Sequence, residues 1–216
     1  MTIRDLYQKY QIMPQLETHM LRVAGIGKII AQNWKGGCDA KLVTDLCLLH
    51  DMGNIVKFDL RDNIDRARFG QIENLHHWQK VQAVYWEKYG KRAHDATIGI
   101  LNEAGLSRFT QYIEEEEKLY FAEAKEIELD KASVAAVILM YADCRVIPSG
   151  VVSYRERVND LKDRYGTRSE TWYDWTFWFE DWMQSKVNID LQGITEASVT
   201  PLFDELRNYS LEKNNV

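Results

Sequence analysis

Interruptions are rare in this chain: 216 residues contain twelve Gly and three Pro. Those two residue types punctuate local structure most strongly, and long stretches without them favour helices over the closely spaced turns of a sandwich or barrel. The expected fold is therefore all-α, a helical bundle formed as a single domain over residues 1–216. A hydrophobic share of 45% against 28% charged residues supplies one sizeable core and excludes a disordered or fibrous chain.

Helical periodicity locates the elements. Leu16, His19, Val23, Ile26 and Ile30 recur at three- and four-residue steps, which predicts a helix from Met13 to Trp34, ended by Lys35, Gly36 and Gly37. Asp39 is a natural N-cap for a helix carrying Leu42, Val43, Leu46, Leu49 and His50, with Gly53 at its end. Residues 54–70 read as a polar loop supplied with Lys57, Arg61, Arg66 and Arg68. Further helices are expected up to Gly90, from Ala93 towards Gly105, from Lys131 to Val146 with Asp130 as N-cap, from Ser153 to Tyr165, and from Thr200 as N-cap with Pro201 in the first turn. Trp172, Trp175, Trp178 and Trp182 fall on one side of another helix. This stripe is read as sealing residues 169–216 against the core or against a second subunit of a homodimer, in preference to stacking on a nucleobase.

Composition also narrows the partners. No run approaches the roughly 18 apolar residues of a membrane span, and Met1 to Tyr10 lacks the apolar stretch of a signal peptide. Cys38, Cys47 and Cys144 are too few for a disulfide framework, so the expected location is cytoplasmic. A net charge of −6 argues against holding duplex nucleic acid by phosphate neutralisation. Small molecules are the expected ligands.

Polar residues then break the apolar stripes at informative places. His19 lies in the stripe of the first long helix, His50 and Asp51 close an apolar run, and Asp143 sits in an apolar helix. Burying carboxylates without compensation costs several kcal/mol, so these groups either pair with one another or share a cation. Imidazole and carboxylate together suit Mn, Fe, Co, Ni, Zn or Mg. Adjacent helical residues point about 100° apart, so His50 and Asp51 reach one ion only near a helix end.

With His19 in His-Met-Leu-Arg-Val-Ala, the segment Leu48-Leu49-His50-Asp51-Met52-Gly53, and Asp143 in Tyr-Ala-Asp-Cys-Arg-Val, the chain resembles the HD-domain superfamily of metal-dependent phosphohydrolases over residues 13–168. The resemblance implies a bundle of five or more helices and a divalent metal ion held by His19, His50, Asp51 and Asp143. It departs from 5'-nucleotidase relatives after the His-Asp pair, where Asn54 and Ile55 stand.

What the resemblance implies is hydrolysis of a phosphoester or phosphoanhydride in a nucleotide or similar small phosphorylated metabolite, with Asp51 both ligating and orienting water, and His94 or Lys57 stabilising phosphoryl oxygens or protonating the leaving group. Two alternatives stand beside it: a di-iron oxygenase that would recruit His94 and another histidine, and a non-catalytic metal-binding regulatory module. Residues given bland roles are His76 and His77, expected to be exposed; Arg145, expected to point away from the metal; and the run Glu114 to Glu117 and Arg155, Arg157, Arg164 and Arg168, expected on solvated faces.

Overall fold

The computed structural model describes residues 1–61, 72–123, 125–166 and 170–211. The first three helices are α1 (Ile3–Lys9), α2 (Pro14–Gln32) and α3 (Ala40–Leu49); α4 (Leu75–Tyr89), α5 (Ala93–Glu103), α6 (Thr110–Ala122), the short α7 (Glu126–Leu129) and α8 (Val134–Asp143) follow. A two-stranded antiparallel hairpin, β1 (Val146–Ile147) and β2 (Gly150–Val151), leads into α9 (Tyr154–Tyr165), α10 (Glu170–Ser185), α11 (Glu196–Val199) and α12 (Phe203–Asn208). The all-α expectation holds, the hairpin being a minor addition.

Local chemistry explains several boundaries. Asp39 caps α3 by accepting the Leu42 amide at 2.9 Å. Ser153 and Glu156 form a reciprocal capping box at the start of α9, and α2 opens on Pro14, which has no amide hydrogen to leave unpaired. Elsewhere the boundaries differ from those expected. The helix from Lys131 to Val146 is shorter: Ser133 rather than Asp130 stands at its N-cap position, and it ends at Asp143, with Val146 already in the hairpin. Thr200 does not cap a helix; Thr200–Leu202 is a 3₁₀ turn between α11 and α12. The loop expected at residue 54 begins with a 3₁₀ turn, Asn54–Lys57, whose Asn54, Ile55 and Val56 are buried. Arg66, Arg68 and Arg168 lie outside the described residues, as does the side chain of Arg164.

Helices α2, α3 and α8 pack together at the centre, and α8 is buried from Ala135 to Ala142. The termini close the shell: Ile3 N donates to Tyr209 O at 2.9 Å and Leu211 N to Met1 O at 3.1 Å. After α10 the chain returns to the end of α2, where Lys35 N meets Lys186 O at 2.8 Å and Trp34 lies 6.4 Å from Trp182.

The tryptophan stripe needs revision. Trp172, Trp175 and Trp182 are buried, but Trp178 is 38% exposed. At 100° per residue Trp178 falls to the edge of the arc, and the fully buried Phe179 takes its place, stacked against Trp175 at 5.4 Å and Trp182 at 6.1 Å. This face seals α10 against the core of the same chain.

Candidate metal centre

Each of the three central helices brings polar atoms to one point. His19 projects from the middle of α2 between buried turns containing Leu16, Met20 and Val23. His50 caps the C-terminal end of α3, Asp51 follows in the turn, and Asp143 is the last residue of α8. His50 and Asp51 stand at the end of α3, where the chain turns, and each brings a donor atom to the same centre. One donor atom from each of His19, His50, Asp51 and Asp143 lies within 4.8 Å of every other.

The contacts are close but imperfect as hydrogen bonds. His19 Nε2 is 3.0 Å from Asp143 Oδ1 and 3.4 Å from Asp51 Oδ2; His50 Nε2 is 3.6 and 3.8 Å from the same oxygens. Both Nε2 atoms are without solvent contact and, among the described residues, without a directed hydrogen bond. On the other side of its ring, His50 Nδ1 lies 2.9 Å from Cys47 O, an arrangement that places the hydrogen on Nδ1 and leaves the Nε2 lone pair pointing into the cluster. Two buried imidazole Nε2 atoms beside two carboxylates fit a divalent ion of borderline or hard character, so these residues could hold a metal.

The four groups also shift one another's protonation. Burial opposes protonation of His50, yet Asp51 and Asp143 outweigh it and push the imidazole up to about 9. Burial would raise the Asp143 carboxyl, but the two imidazoles hold it well below its usual range. Burial, reinforced by the Asp143 charge, pushes the neighbouring Cys144 up to about 12, so it is a thiol at neutral pH and no soft thiolate ligand.

The HD-domain family model matches residues 16–143, from α2 to the aspartate that ends α8. The chain belongs to the HD-domain family. No curated protein and no solved structure matches it. HD domains are mostly metal-dependent hydrolases, and the match starts and stops on the two helices that carry the first and last of the four clustered residues.

Gly53 positions the family's His-Asp turn, though not in the way its place after a helix suggests. Its φ of −89° is open to any residue. What it supplies is space: a Cβ there would lie 2.4 Å from Thr97 N and 2.7 Å from Ala93 O, so α5 packs directly on this turn, and Gly53 N donates to Thr97 Oγ1 at 2.9 Å. His94 rides on the same helix but stands apart from the four-residue cluster; it is largely buried, with Nδ1 3.4 Å from Glu117. His76 and His77 are exposed.

A cavity of about 320 Å³ opens beside Asp143, lined among others by Lys57, Glu116, Arg157, Lys162 and Tyr173. Two expectations fail here. The acidic run of α6 is not a uniformly solvated face: Glu114 is exposed, but Glu115 accepts the Ser133 amide, Glu117 pairs with Arg92 at 2.9 Å, and Glu116 faces the cavity. Burial first, then the charge of Asp143, pushes Glu116 up to about 8. Arg157 is likewise not on a solvated face; its side chain is 15% exposed, whereas Arg155 is 65% exposed. Helical period alone missed both, because α6 and α9 present these residues towards α8 only once the bundle has closed. Arg145 points away from the cluster, as expected: it is 1% exposed and donates to Val152 O, Tyr141 Oη, Leu191 O and Ile194 O at 2.6–3.1 Å.

Proposed function

We propose that this chain is a metal-dependent phosphohydrolase that cleaves a phosphoester or phosphoanhydride of a nucleotide or similar small phosphorylated metabolite. The observation that carries this reading is the pair of buried Nε2 atoms of His19 and His50, without a hydrogen-bond partner among the described residues, converging with Asp51 and Asp143 at the edge of a cavity lined by cationic side chains. His19, His50, Asp51 and Asp143 would hold the ion. When bound, a divalent metal supplies Lewis acidity towards a phosphoryl oxygen and lowers the pKa of a water ligand.

The chain's own residues divide the remaining work. Asp51, one of the residues that would hold the ion, would also orient the attacking water. Lys57, exposed and lining the cavity, neutralises charge on phosphoryl oxygens. Glu116 retains its proton to higher pH than an ordinary carboxyl and lines the cavity near Asp143, which suits it to protonate a leaving oxygen. His94, whose Nδ1 lies 3.4 Å from Glu117, is not among the residues that line this cavity, so the reading rests on Lys57 and Glu116. A pocket wall containing Tyr120, Phe121 and Tyr173 is compatible with a planar organic group attached to the phosphate.

The test is phosphate release from a panel of nucleotides and small phosphomonoesters in several divalent cations. We expect turnover that requires metal and disappears in His50→Ala. Full metal occupancy with no turnover across the panel would favour the regulatory module, and two irons per chain with oxygen uptake would favour the oxygenase.

A further inference from the structure

Two arginines near the end of α8 are withdrawn from solvent, and their surroundings differ. Arg145 has a carbonyl or hydroxyl acceptor for each guanidinium nitrogen. Arg157, on α9, gives Nη1 to Asp160 at 2.6 Å, while its Nε has no solvent contact and no hydrogen-bond partner among the described residues. A guanidinium has five N–H donors and no acceptor, so a withdrawn one with an unserved side calls for an electron-rich partner. The same cavity is lined by Tyr173, whose buried hydroxyl likewise has no hydrogen-bond partner among the described residues. Asp143 lines it too, so the cavity bordered by Arg157 and Tyr173 adjoins the four-residue cluster.

We propose that Arg157, oriented by Asp160 and joined by the Tyr173 hydroxyl, is the anchor for the phosphoryl oxyanion in the cavity beside Asp143. This rests on the phosphohydrolase reading and adds the residue that selects an anion. Both groups present donors to a ligand rich in acceptors, and a phosphoryl group offers up to three terminal oxygens. Arginine suits the task because its planar fork matches two of those oxygens at once. Lys162, whose ammonium lies 5.5 Å from the centre of the Tyr173 ring, adds positive charge to the same wall.

The experiment uses the full chain loaded with the divalent metal that it retains best. Inorganic phosphate is titrated calorimetrically into the wild type, Arg157→Lys, Arg157→Ala and Arg155→Ala, and KM and kcat are measured for any phosphomonoester turned over. Metal content and melting temperature are recorded for each variant. Phosphate affinity should fall by roughly tenfold to a hundredfold in Arg157→Ala, consistent with loss of a charged hydrogen-bond partner. Arg157→Lys should recover only part of it, with KM rising more than kcat falls and metal content unchanged. Arg155→Ala, two residues away and outside this cavity, should bind phosphate as the wild type does.

Unchanged phosphate affinity in Arg157→Lys, with or without a lower melting temperature, overturns the anchor and makes Arg157 a structural residue, while metal-dependent turnover would keep the phosphohydrolase reading. Phosphate binding that depends on Arg157 in a protein without turnover supports the anchor and removes the hydrolase. If Arg157→Ala does not fold, Arg157→Lys alone decides. A metal-loaded wild type that binds no phosphate overturns the anchor directly.

Discussion

The α2–α3–α8 centre, which reaches the cavity through Asp143, and the α9–α10 wall that lines it are built by different rules. In the centre, polar residues interrupt apolar stripes: His19 lies among Leu16, Met20 and Val23, and Asp143 ends a helix buried along nearly its whole length. In the wall, Arg157 sits in a helix rich in charge, where it resembles its solvated neighbour Arg155. A functional side chain stands out in sequence when its local background is apolar, and disappears when the background is polar. The two arginines near the cavity show how burial can serve different ends, since Arg145 is fully bonded to the fold and Arg157 is not.

The largest effect should come from the centre. Asp143→Ala removes a carboxylate that stands between both imidazoles and should abolish metal retention and turnover while circular dichroism still reports a helical protein. An active, metal-bound variant would break the distinction between centre and wall at once. Within the wall, Phe179→Ala should cost about 3–5 kcal/mol in denaturant unfolding, because this fully buried ring is stacked between Trp175 and Trp182. Arg145→Ala should destabilise by a similar ~3–5 kcal/mol, since four acceptors lose their buried partner. It should leave the phosphate affinity of the surviving folded protein unchanged.

Gly53→Ala should have the next largest effect, about 1–3 kcal/mol or more, because its new methyl group meets the backbone of α5 rather than a movable side chain. Metal affinity should fall with it, as Asp51 is two residues away. A variant as stable as the wild type would show that the His-Asp turn is not fixed by its contact with α5.

The pH dependence separates metal-free from metal-loaded protein. His50 rises from 6.5 to about 9 without metal, so the stability gained from its charged form is fully present below about 6.5 and is lost as pH climbs through about 9. Glu116, raised from 4.5 to about 8, contributes in the same direction. Melting of the metal-free protein should therefore move to lower temperature between pH 6.5 and 9. Metal must displace the His50 proton, so its affinity should increase over that interval. Parallel profiles with and without metal would contradict the assignment of His50 as a ligand. The smallest effect is expected for Trp178→Ala, within about 0.5 kcal/mol of wild type, because Trp178 stands at the exposed edge of its helix.

Much of the architecture was legible because long stretches without Gly or Pro carry a clear 3.6-residue period. The boundaries that were misread, such as Asp130 and Thr200 as caps, lie where short turns and a hairpin compete with helix, and tertiary pairing settles the outcome. The four clustered residues were legible as polar interruptions with a recognisable order. Glu116 and Arg157 were not, since each belongs to a charged run in which only the closed bundle separates an inward residue from its solvated neighbours. Gly53 was noticed for the wrong reason: an end-of-helix glycine implies turn geometry, and the sequence holds no sign of the helix 40 residues later that needs its missing side chain.

Elemental analysis of protein purified without added metal, beside His50→Ala and Asp143→Ala prepared identically, tests the shared ion most directly. The account predicts close to one divalent transition metal or magnesium ion per wild-type chain and almost none in either folded variant. Equal metal content in all three, or none in a wild type that also fails to take up any divalent ion on titration, would contradict it.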